Sequence, residues 1–463
     1  MKKPGFNPYL PSWEYIPDGE PYVFGDRVYV YGSHDFFNGY VFCMGDYVCW
    51  SAPVNDLTDW RYEGVIYPRN ADPMNADGEM CLYAPDVTVG PDGRYYLYYV
   101  LDHLDIVSVA VCDEPAGRYQ FYGYVHHADG TYLGRAQGDE PQFDPGVITE
   151  GDVTWLYTGF CPHGGKDRHG AMVTKLAADM LTVLEGPQFV VPGVEYAQGT
   201  MYEQHPFFEA PSIRKVGEKY YFVYSSVVMH ELCYAVSDRP DGGFVFGGVV
   251  VSNCDLFPGR PQLPMALGGN NHGSIIEIAG QWYVFYHRQT NNTWFSRQGC
   301  AEPIAILPDG SIPQVEITSC GLNGGPLPAK GEYPAYIACH LYDAKRDRIS
   351  NAPGAAYITQ EGRDGDEIPG YIANLHDTVV VGFKYFDFED VERITLKLRG
   401  YGTGGRIHVR LSPDGENLAT MELHNTNLWA EYSAPVGIPN GKQALYLAYE
   451  GGGSAMLGFI CFA

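Results

Sequence analysis

One short pattern recurs five times in this 463-residue chain. Each copy has a Pro- or Gly-marked start, a strand, a tight turn and a second strand rich in Tyr, Phe, Trp and Val. The copies read PDGEPYVFGDRVYVYGSHD from Pro17, APDVTVGPDGRYYLYYV from Ala84, DPGVITEGDVTWLYTGF from Asp144, EAPSIRKVGEKYYFVYSS from Glu209 and HGSIIEIAGQWYVFYHR from His272. The second strands begin near residues 27, 95, 154, 220 and 282. β units repeating at a fixed period of roughly 60–70 residues predict a propeller or array. An ionisable side chain heads one strand in every copy: Asp18, Asp86, Asp144, Glu209 and His272. Equivalent strand ends of a closed propeller converge on one axis, so these five are expected at a single central pocket. Crowded carboxylates raise one another's pKa and cost stability, so such a ring points to chemistry.

The rest of the chain sets limits on that chemistry. With 56 acidic against 30 basic residues the formal charge is −26, which argues against nucleic acid and anionic membranes as partners. Tyr is frequent at 37 residues and Gly reaches 56; both fit short strands and tight turns, and aromatic faces also suit the C–H faces of sugars. The eleven cysteines are scattered without the CxxC spacing of a zinc site. Unpaired thiols and the opening MKKPGFNPYLP, which lacks an apolar signal region, lead to an expected cytoplasmic location.

Long amphipathic helices are absent; KLAADMLTVL (175–184) is at most a short one. The Gly- and Pro-rich stretch SCGLNGGPLPAKGEYPAY (319–336) reads as a junction. Beyond it, TVVVGFKYFDF, RITLKLRG, GRIHVRLS and ALYLAYEG alternate between turns, as in a β-sandwich. The expected fold is all-β: a five-bladed propeller over 1–318, a junction over 319–335 and a jelly-roll-type sandwich over 336–463.

YAPDV (83–87), FFEAPSI (207–213) and NNHGSIIEIAGQWYVFYH (270–287), in that order and spacing, resemble glycoside hydrolase family 43, a family of five-bladed propellers. The C-terminal part, most clearly GYIANLHDTVVVGFKYFDF (370–388), resembles a family 6 carbohydrate-binding module. The resemblance implies that Asp18 is the general base and Glu209 the general acid, with Asp86 the carboxylate that orients the acid and raises its pKa. Inverting hydrolysis needs one ionised and one protonated carboxyl about 6.5–9.5 Å apart, flanking the glycosidic bond. Glu20 competes with Asp18, because this chain has Asp-Gly-Glu-Pro where the family has Asp-Pro-Ser; Glu203 competes with Glu209. Asp144 matches a blade-three residue near the axis with a structural or subsite role. Arg297 matches an arginine that reaches the sugar, and His34 and Asp35 are expected at the pocket rim. His272 matches a histidine on the axis that approaches a hydrated calcium or sodium ion; no organic cofactor is implied.

The function expected is an exo-acting, inverting α-L-arabinofuranosidase on hemicellulose-derived oligosaccharides or polysaccharides. The alternatives are a β-D-xylosidase, a bifunctional xylosidase/arabinofuranosidase, a galactan-acting exo-enzyme, or a catalytically silent sugar-binding protein. In the sandwich, Trp429 is either an exposed sugar platform or a core residue.

Overall fold

The computed structural model describes residues 5–162, 167–254, 269–345, 354–401 and 404–463. Lys2 and Lys3 of the opening stretch lie outside it. Five antiparallel sheets follow one another along the chain, each in simple sequence order. Blade one is β1 (Glu20–Phe24), β2 (Arg27–Tyr31), β3 (Tyr47–Pro53) and β4 (Arg61–Tyr67). Blade two is β5 (Asp86–Val89), β6 (Tyr95–Tyr99), β7 (Ser108–Cys112) and β8 (Gln120–Tyr124). Blade three is β9 (Gly146–Glu150), β10 (Val153–Thr158), β11 (Gly170–Leu176) and β12 (Val183–Pro192). Blade four is β13 (Phe207–Val216), β14 (Lys219–Ser226), β15 (Glu231–Ser237) and β16 (Val245–Ser252). Blade five is β17 (Ser274–Ile278), β18 (Gln281–Gln289) and β19 (Arg297–Ile304). The stretch expected as at most a short helix instead ends β11, turns and starts β12.

The aromatic second strands follow from this arrangement. A middle strand of a blade is covered on both faces by neighbouring blades, so it reads as a continuous apolar run rather than an alternating one. In β14, KYYFVYSS, every residue after Lys219 is buried, whereas the outer strand β12 is largely exposed. One apolar cluster fills each blade interface. Tyr31, Tyr47, Leu97 and Tyr99 join blades one and two, and Val28, Val30, Ile276 and Phe285 join blades five and one. The ring closes at that last seam through a parallel bridge between Gly19 and Gly273. The N-terminal stretch seals it: Tyr9 N–H donates to Gly299 C=O at 3.2 Å, and the Asn7 amide donates to Ala301 C=O at 3.0 Å.

The registers place two stacked layers on the axis. Glu20, Asp86, Gly146, Ser212 and Ser274 stand opposite Tyr31, Tyr98, Tyr157, Val223 and Phe285, corresponding positions of the second strands. Two residues upstream come Asp18, Ala84, Asp144, Ala210 and His272. Successive side chains alternate between faces, so residues two apart form separate layers on the same side. The five strand-head residues expected to be equivalent are therefore not. Asp86 belongs to the lower layer with Glu20, and Glu209 stands one position before its layer.

The sandwich comprises β20 (Leu327–Pro328), β21 (Gly331–Pro334), β22 (His340–Asp343), β23 (Tyr357–Thr359), β24 (Tyr371–Leu375), β25 (Val379–Phe388), β26 (Arg393–Tyr401), β27 (Gly405–Arg410), β28 (Ala419–Glu422), β29 (Thr426–Pro435), β30 (Gly441–Gly451) and β31 (Ser454–Phe462). One sheet runs β20-β25-β30-β27-β28 with β22 on β25. The other runs β23-β24-β31-β26-β29 with β21 on β31. Their inner faces enclose a core that includes Phe383, Phe386, Leu396, Leu447 and Phe462. The junction stretch contributes β20 and β21, so it is built into the sandwich rather than free. Trp429 is not in that core. It is half-buried on β29 beside Tyr371, with ring centroids 5.6 Å apart, and the Arg399 guanidinium lies 4.9 Å over its ring.

Gly146 explains why blade three offers no side chain to the lower layer: a Cβ there would stand 2.2 Å from the Pro211 carbonyl oxygen. Gly146→Ala should push blades three and four apart and destabilise the propeller by about 1–3 kcal/mol. Thermal denaturation measures this, and an unchanged melting temperature would contradict the close approach.

Candidate active site

A cavity of ≈ 360 Å³ opens over the upper axial layer, with Asp18, Asp144, Glu209, His272 and Arg297 in its lining. The backbone turns sharply where three of its walls begin. Asp18, Asp144 and Ala210 have φ of 58°, 45° and 65°, the left-handed region that non-Gly residues seldom occupy and that recurs at functional sites. In blade four the β13–β14 ladder is irregular between Glu209 and Ser212. An irregularity of this kind re-aims a side chain, and here Glu209 lines the cavity.

Arg297 organises the charge. It opens β19 and is 2 % exposed. Its Nη1 donates to Asp18 Oδ1 at 2.9 Å, and Nε and Nη2 fork onto Asp35 at 2.8 and 3.1 Å. The His287 ring continues the chain. Its Nε2 contacts the Asn270 carbonyl at 2.9 Å and so carries a proton, and its Nδ1 accepts the Asp18 backbone N–H at 3.3 Å. Burial alone would raise the Asp18 carboxyl. The Arg297 guanidinium, the strongest opposing influence, outweighs it and holds Asp18 well below the usual carboxylate range. Glu209 goes the other way. Burial pushes it up to about 7, against the Asn270 amide that donates to Oε1 at 2.8 Å and with the Asp18 charge adding to the rise. Burial, then the charges of Glu209 and Asp18, push Asp144 well above its ordinary value, opposed by the Ala210 N–H at 3.2 Å. Near neutrality the cavity thus holds one ionised carboxyl, Asp18, and a pair, Asp144 and Glu209, that cannot readily ionise together.

His272 stands between the layers. Its Nδ1 is 3.8 Å from both Asp18 Oδ1 and Asp144 Oδ2, and its Nε2 is 3.9 Å from Glu20 Oε1. Burial brings its pKa down to about 4, with the Asp18 charge opposing, so the ring is neutral near pH 7.

Several expected site residues lie elsewhere. Asp86 is fully buried in the lower layer and does not line the cavity; Tyr22 O–H and the Val87 and Val147 N–H groups donate to it at 2.6–2.7 Å. Glu20 shares that layer, accepting from Arg214 Nη2 at 2.6 Å and Ser212 O–H at 3.1 Å. Asp35 is not at the rim: it sits behind Arg297, with the Cys43 N–H also bound to Oδ1 at 2.9 Å. His34 packs against Gly45 and contacts the Asp46 carbonyl, outside the lining. Glu203 is exposed and outside it too. Among the described residues one group of three side chains has metal-ligand spacing, His205, Glu231 and Cys233. Its atoms already satisfy one another: Glu231 Oε1 meets His205 Nδ1 at 2.6 Å, Ser226 O–H at 2.5 Å and Cys233 S–H at 3.4 Å.

Sequence reasoning missed Asn270, His287 and the aromatic wall. Tyr83, Phe143, Phe160 and Phe208 line one side of the cavity in a chain of ring contacts 5.1–5.3 Å apart. Phe42 and Trp294 join the lining from the loops after β2 and β18. The signal was present: Tyr83, Phe143 and Phe208 each immediately precede the first residue of their repeat copy, Ala84, Asp144 and Glu209.

An ionised and a protonated carboxyl over one aromatic-walled pocket on a propeller axis define a glycosidase-type site. The chain belongs to the glycosyl hydrolases family 43, whose model matches residues 16–312, and it is a glycoside hydrolase of that inverting family. It is 62 % identical over 466 residues to a xylosidase/arabinosidase from Thermoclostridium stercorarium, covering 99 % of this chain and 98 % of that protein. Two solved structures are similar. One is a β-xylosidase/α-arabinofuranosidase from a compost microbial metagenome, with xylotriose, in a calcium-free form (25 % identity, TM-score 0.54, 68 % of this chain, 99 % of that chain). The other is an arabinoxylan arabinofuranohydrolase from Bacillus subtilis (21 % identity, TM-score 0.52, 99 % of this chain, 97 % of that chain), which speaks to fold alone.

The pocket chemistry separates Asp144 from Asp86. Asp144→Asn removes the carboxyl coupled to Glu209 and should shift the alkaline limb of the kcat/KM–pH profile. Asp86→Asn should leave that limb in place and lower stability by about 1–3 kcal/mol through mispaired buried donors. The reverse pattern in pH profiles and melting curves would return the modulating role to Asp86.

Proposed function

We propose that this protein is an exo-acting xylosidase/arabinofuranosidase on xylan- and arabinoxylan-derived oligosaccharides, cleaving with inversion. The observation that carries the mechanism is the opposed protonation of Asp18 and Glu209 over one cavity. Asp18 takes a proton from a water as that water attacks the anomeric carbon. Glu209 gives its proton to the departing glycosidic oxygen as the C–O bond breaks. Asp144, rather than Asp86, is the carboxylate coupled to Glu209, because it shares the cavity and Asp86 does not, while burial and the Asp18 charge hold Glu209 up. Arg297 keeps Asp18 ionised and offers the pocket its guanidinium. A pocket on the axis, rather than a groove across the face, supports removal of terminal sugars. Of the specificities expected, dual action is better supported than arabinofuranosidase alone, since the relative at 62 % identity carries both activities in its name.

The residues around His272 fit a largely hydrated cation. Glu20 Oε1 is buried without a hydrogen-bond partner and faces the neutral His272 ring at 3.9 Å, and water would complete the shell of a hard ion. Such an ion would offset carboxylate charge on the axis. Chelator treatment should lower the melting temperature and added calcium should restore it, since a ligand bound only to the native state stabilises it. No thermal shift in either direction would dismiss the ion.

Catalysis is tested directly. Asp18→Asn and Glu209→Gln should each lower kcat on unactivated xylo-oligosaccharides by about 10²–10⁴, and proton NMR should show inverted configuration in the first sugar released. p-Nitrophenyl β-D-xylopyranoside and α-L-arabinofuranoside should both be hydrolysed, with kcat/KM within about a hundredfold of each other. A retained product or turnover of neither glycoside would overturn the assignment.

A further inference from the structure

The loop between β18 and β19 carries Trp294 on the pocket lining and ends at Arg297. It is an awkward loop: Asn291 and Asn292 are consecutive left-handed residues, with φ of 52° and 51°. Each such residue costs free energy and persists only where its surroundings hold it. The surroundings that hold this one belong to the sandwich. Asn291 N–H donates to Ile358 C=O at 2.6 Å, and Thr359 O–H donates to Asn291 Oδ1 at 2.7 Å. The remaining arm of Asn291, Nδ2, donates to Asn38 Oδ1 at 2.9 Å in the blade-one rim loop. That second loop carries Phe42, whose ring meets Phe295 edge-on at 4.8 Å and lies 4.7 Å under the Arg297 guanidinium. It too is tied to the sandwich, where Phe37 N–H donates to Asp364 Oδ1 at 2.6 Å. Farther along the same segment, Tyr15 O–H donates to Gln360 Oε1 at 3.0 Å and Gly370 N–H to Ser12 Oγ at 2.8 Å.

We propose that the C-terminal sandwich completes the active site, with Asn291 and Thr359 as positioning residues that lock the two rim loops and so set Trp294 and Phe42 for the substrate. All three arms of Asn291 are engaged, two by the sandwich and one by blade one. Asn291 and Thr359 are both 8 % exposed, so water competes weakly for these bonds. The contacts bear on the rim, whereas Asp18 and Glu209 are held separately by Arg297, His287 and Asn270. Loosening the joint should therefore weaken substrate binding before it affects the chemical step. The sandwich acts on the reaction through this edge rather than as an independent polymer-binding unit.

The proposal rests on the reading that the glycoside enters this pocket. Full-length Thr359→Val removes the hydroxyl at nearly constant volume, and Asn291→Gly removes both side-chain bonds while keeping the left-handed backbone accessible. On p-nitrophenyl β-D-xylopyranoside each should raise KM by about tenfold with kcat within about twofold of wild type. Thr359→Ser, which restores the hydroxyl, should recover KM. Asp364→Ala is an exposed change that leaves the cores intact, and it should raise KM by about threefold. Unchanged KM in these variants, or equal losses in KM and kcat with no rescue by serine, would overturn the proposal while the wild type remains active. An inactive wild type would instead overturn the pocket reading, and this proposal with it.

Discussion

Arg297 is a cation buried where two blades meet and where two carboxylates converge. Taking a guanidinium out of water is expensive, and the cost is offset only if its donors find geometrically matched acceptors. Asp35 supplies a bidentate partner from the β2–β3 loop of blade one, and Asp18 a second from that blade's head. One side chain on β19 therefore closes the seam between the last and first blades and at the same time fixes the protonation of Asp18. Removing it would leave two buried carboxylates without their counter-charge, a loss of about 3–5 kcal/mol by analogy with broken buried pairs. Ring closure and the charge state of Asp18 thus depend on the same interaction, and the cavity can hold Glu209 and Asp144 in a partly protonated state because Asp18 is provided for.

The lower layer repeats the arrangement with different consequences. Arg214 bridges Glu20 from beneath and lies 4.3 Å over the Tyr22 ring, while Tyr22 bonds Asp86. Burial followed by the Asp86 charge raises Glu20 to about 8, with Arg214 opposing, and burial raises Asp86 to about 6. None of these groups lines the cavity above. Their arrangement is that of a polar plug holding five inner strands together where side chains on an axis cannot all be apolar. His272, neutral between the layers, separates the carboxyls that line the cavity from the pair buried beneath it.

The five repeats and the change of strand character after residue 319 made the propeller and the sandwich legible in the sequence. The register within the repeat was not. Pro17-Asp18 and Pro85-Asp86 look alike as strand heads, yet Asp18 stands two residues ahead of its ladder and Asp86 begins its own. Strand periodicity of two hides that shift, because residues two apart lie on the same face and differ only in depth along the axis. Blade four adds an irregularity that no pattern of residue types announces. The rim joint was invisible for a different reason: Asn291 and Thr359 are 68 positions apart, and Phe37 and Asp364 are 327. Polar pairs at such separations leave no local signature, and Trp429, the one aromatic singled out in the sandwich, contacts Tyr371 and Arg399 rather than either rim loop.

Dual specificity is what this pocket chemistry would produce. Much of its wall is aromatic: the contiguous Tyr83, Phe143, Phe160 and Phe208, together with Phe42 and Trp294. Flat apolar surfaces accept the C–H faces of a pyranose or a furanose with little penalty for either. Strong rejection of a near-isostere arises where buried polar groups would be left unpaired by the wrong hydroxyl pattern, and a hydrophobic pocket lacks that lever. The polar groups present here are largely committed: Asp18 and Arg297 to one another, Asn270 to Glu209, and His272 to the axis. What remains to discriminate xylose from arabinose is the shape of the rim, and that shape is set by loops fastened to the sandwich.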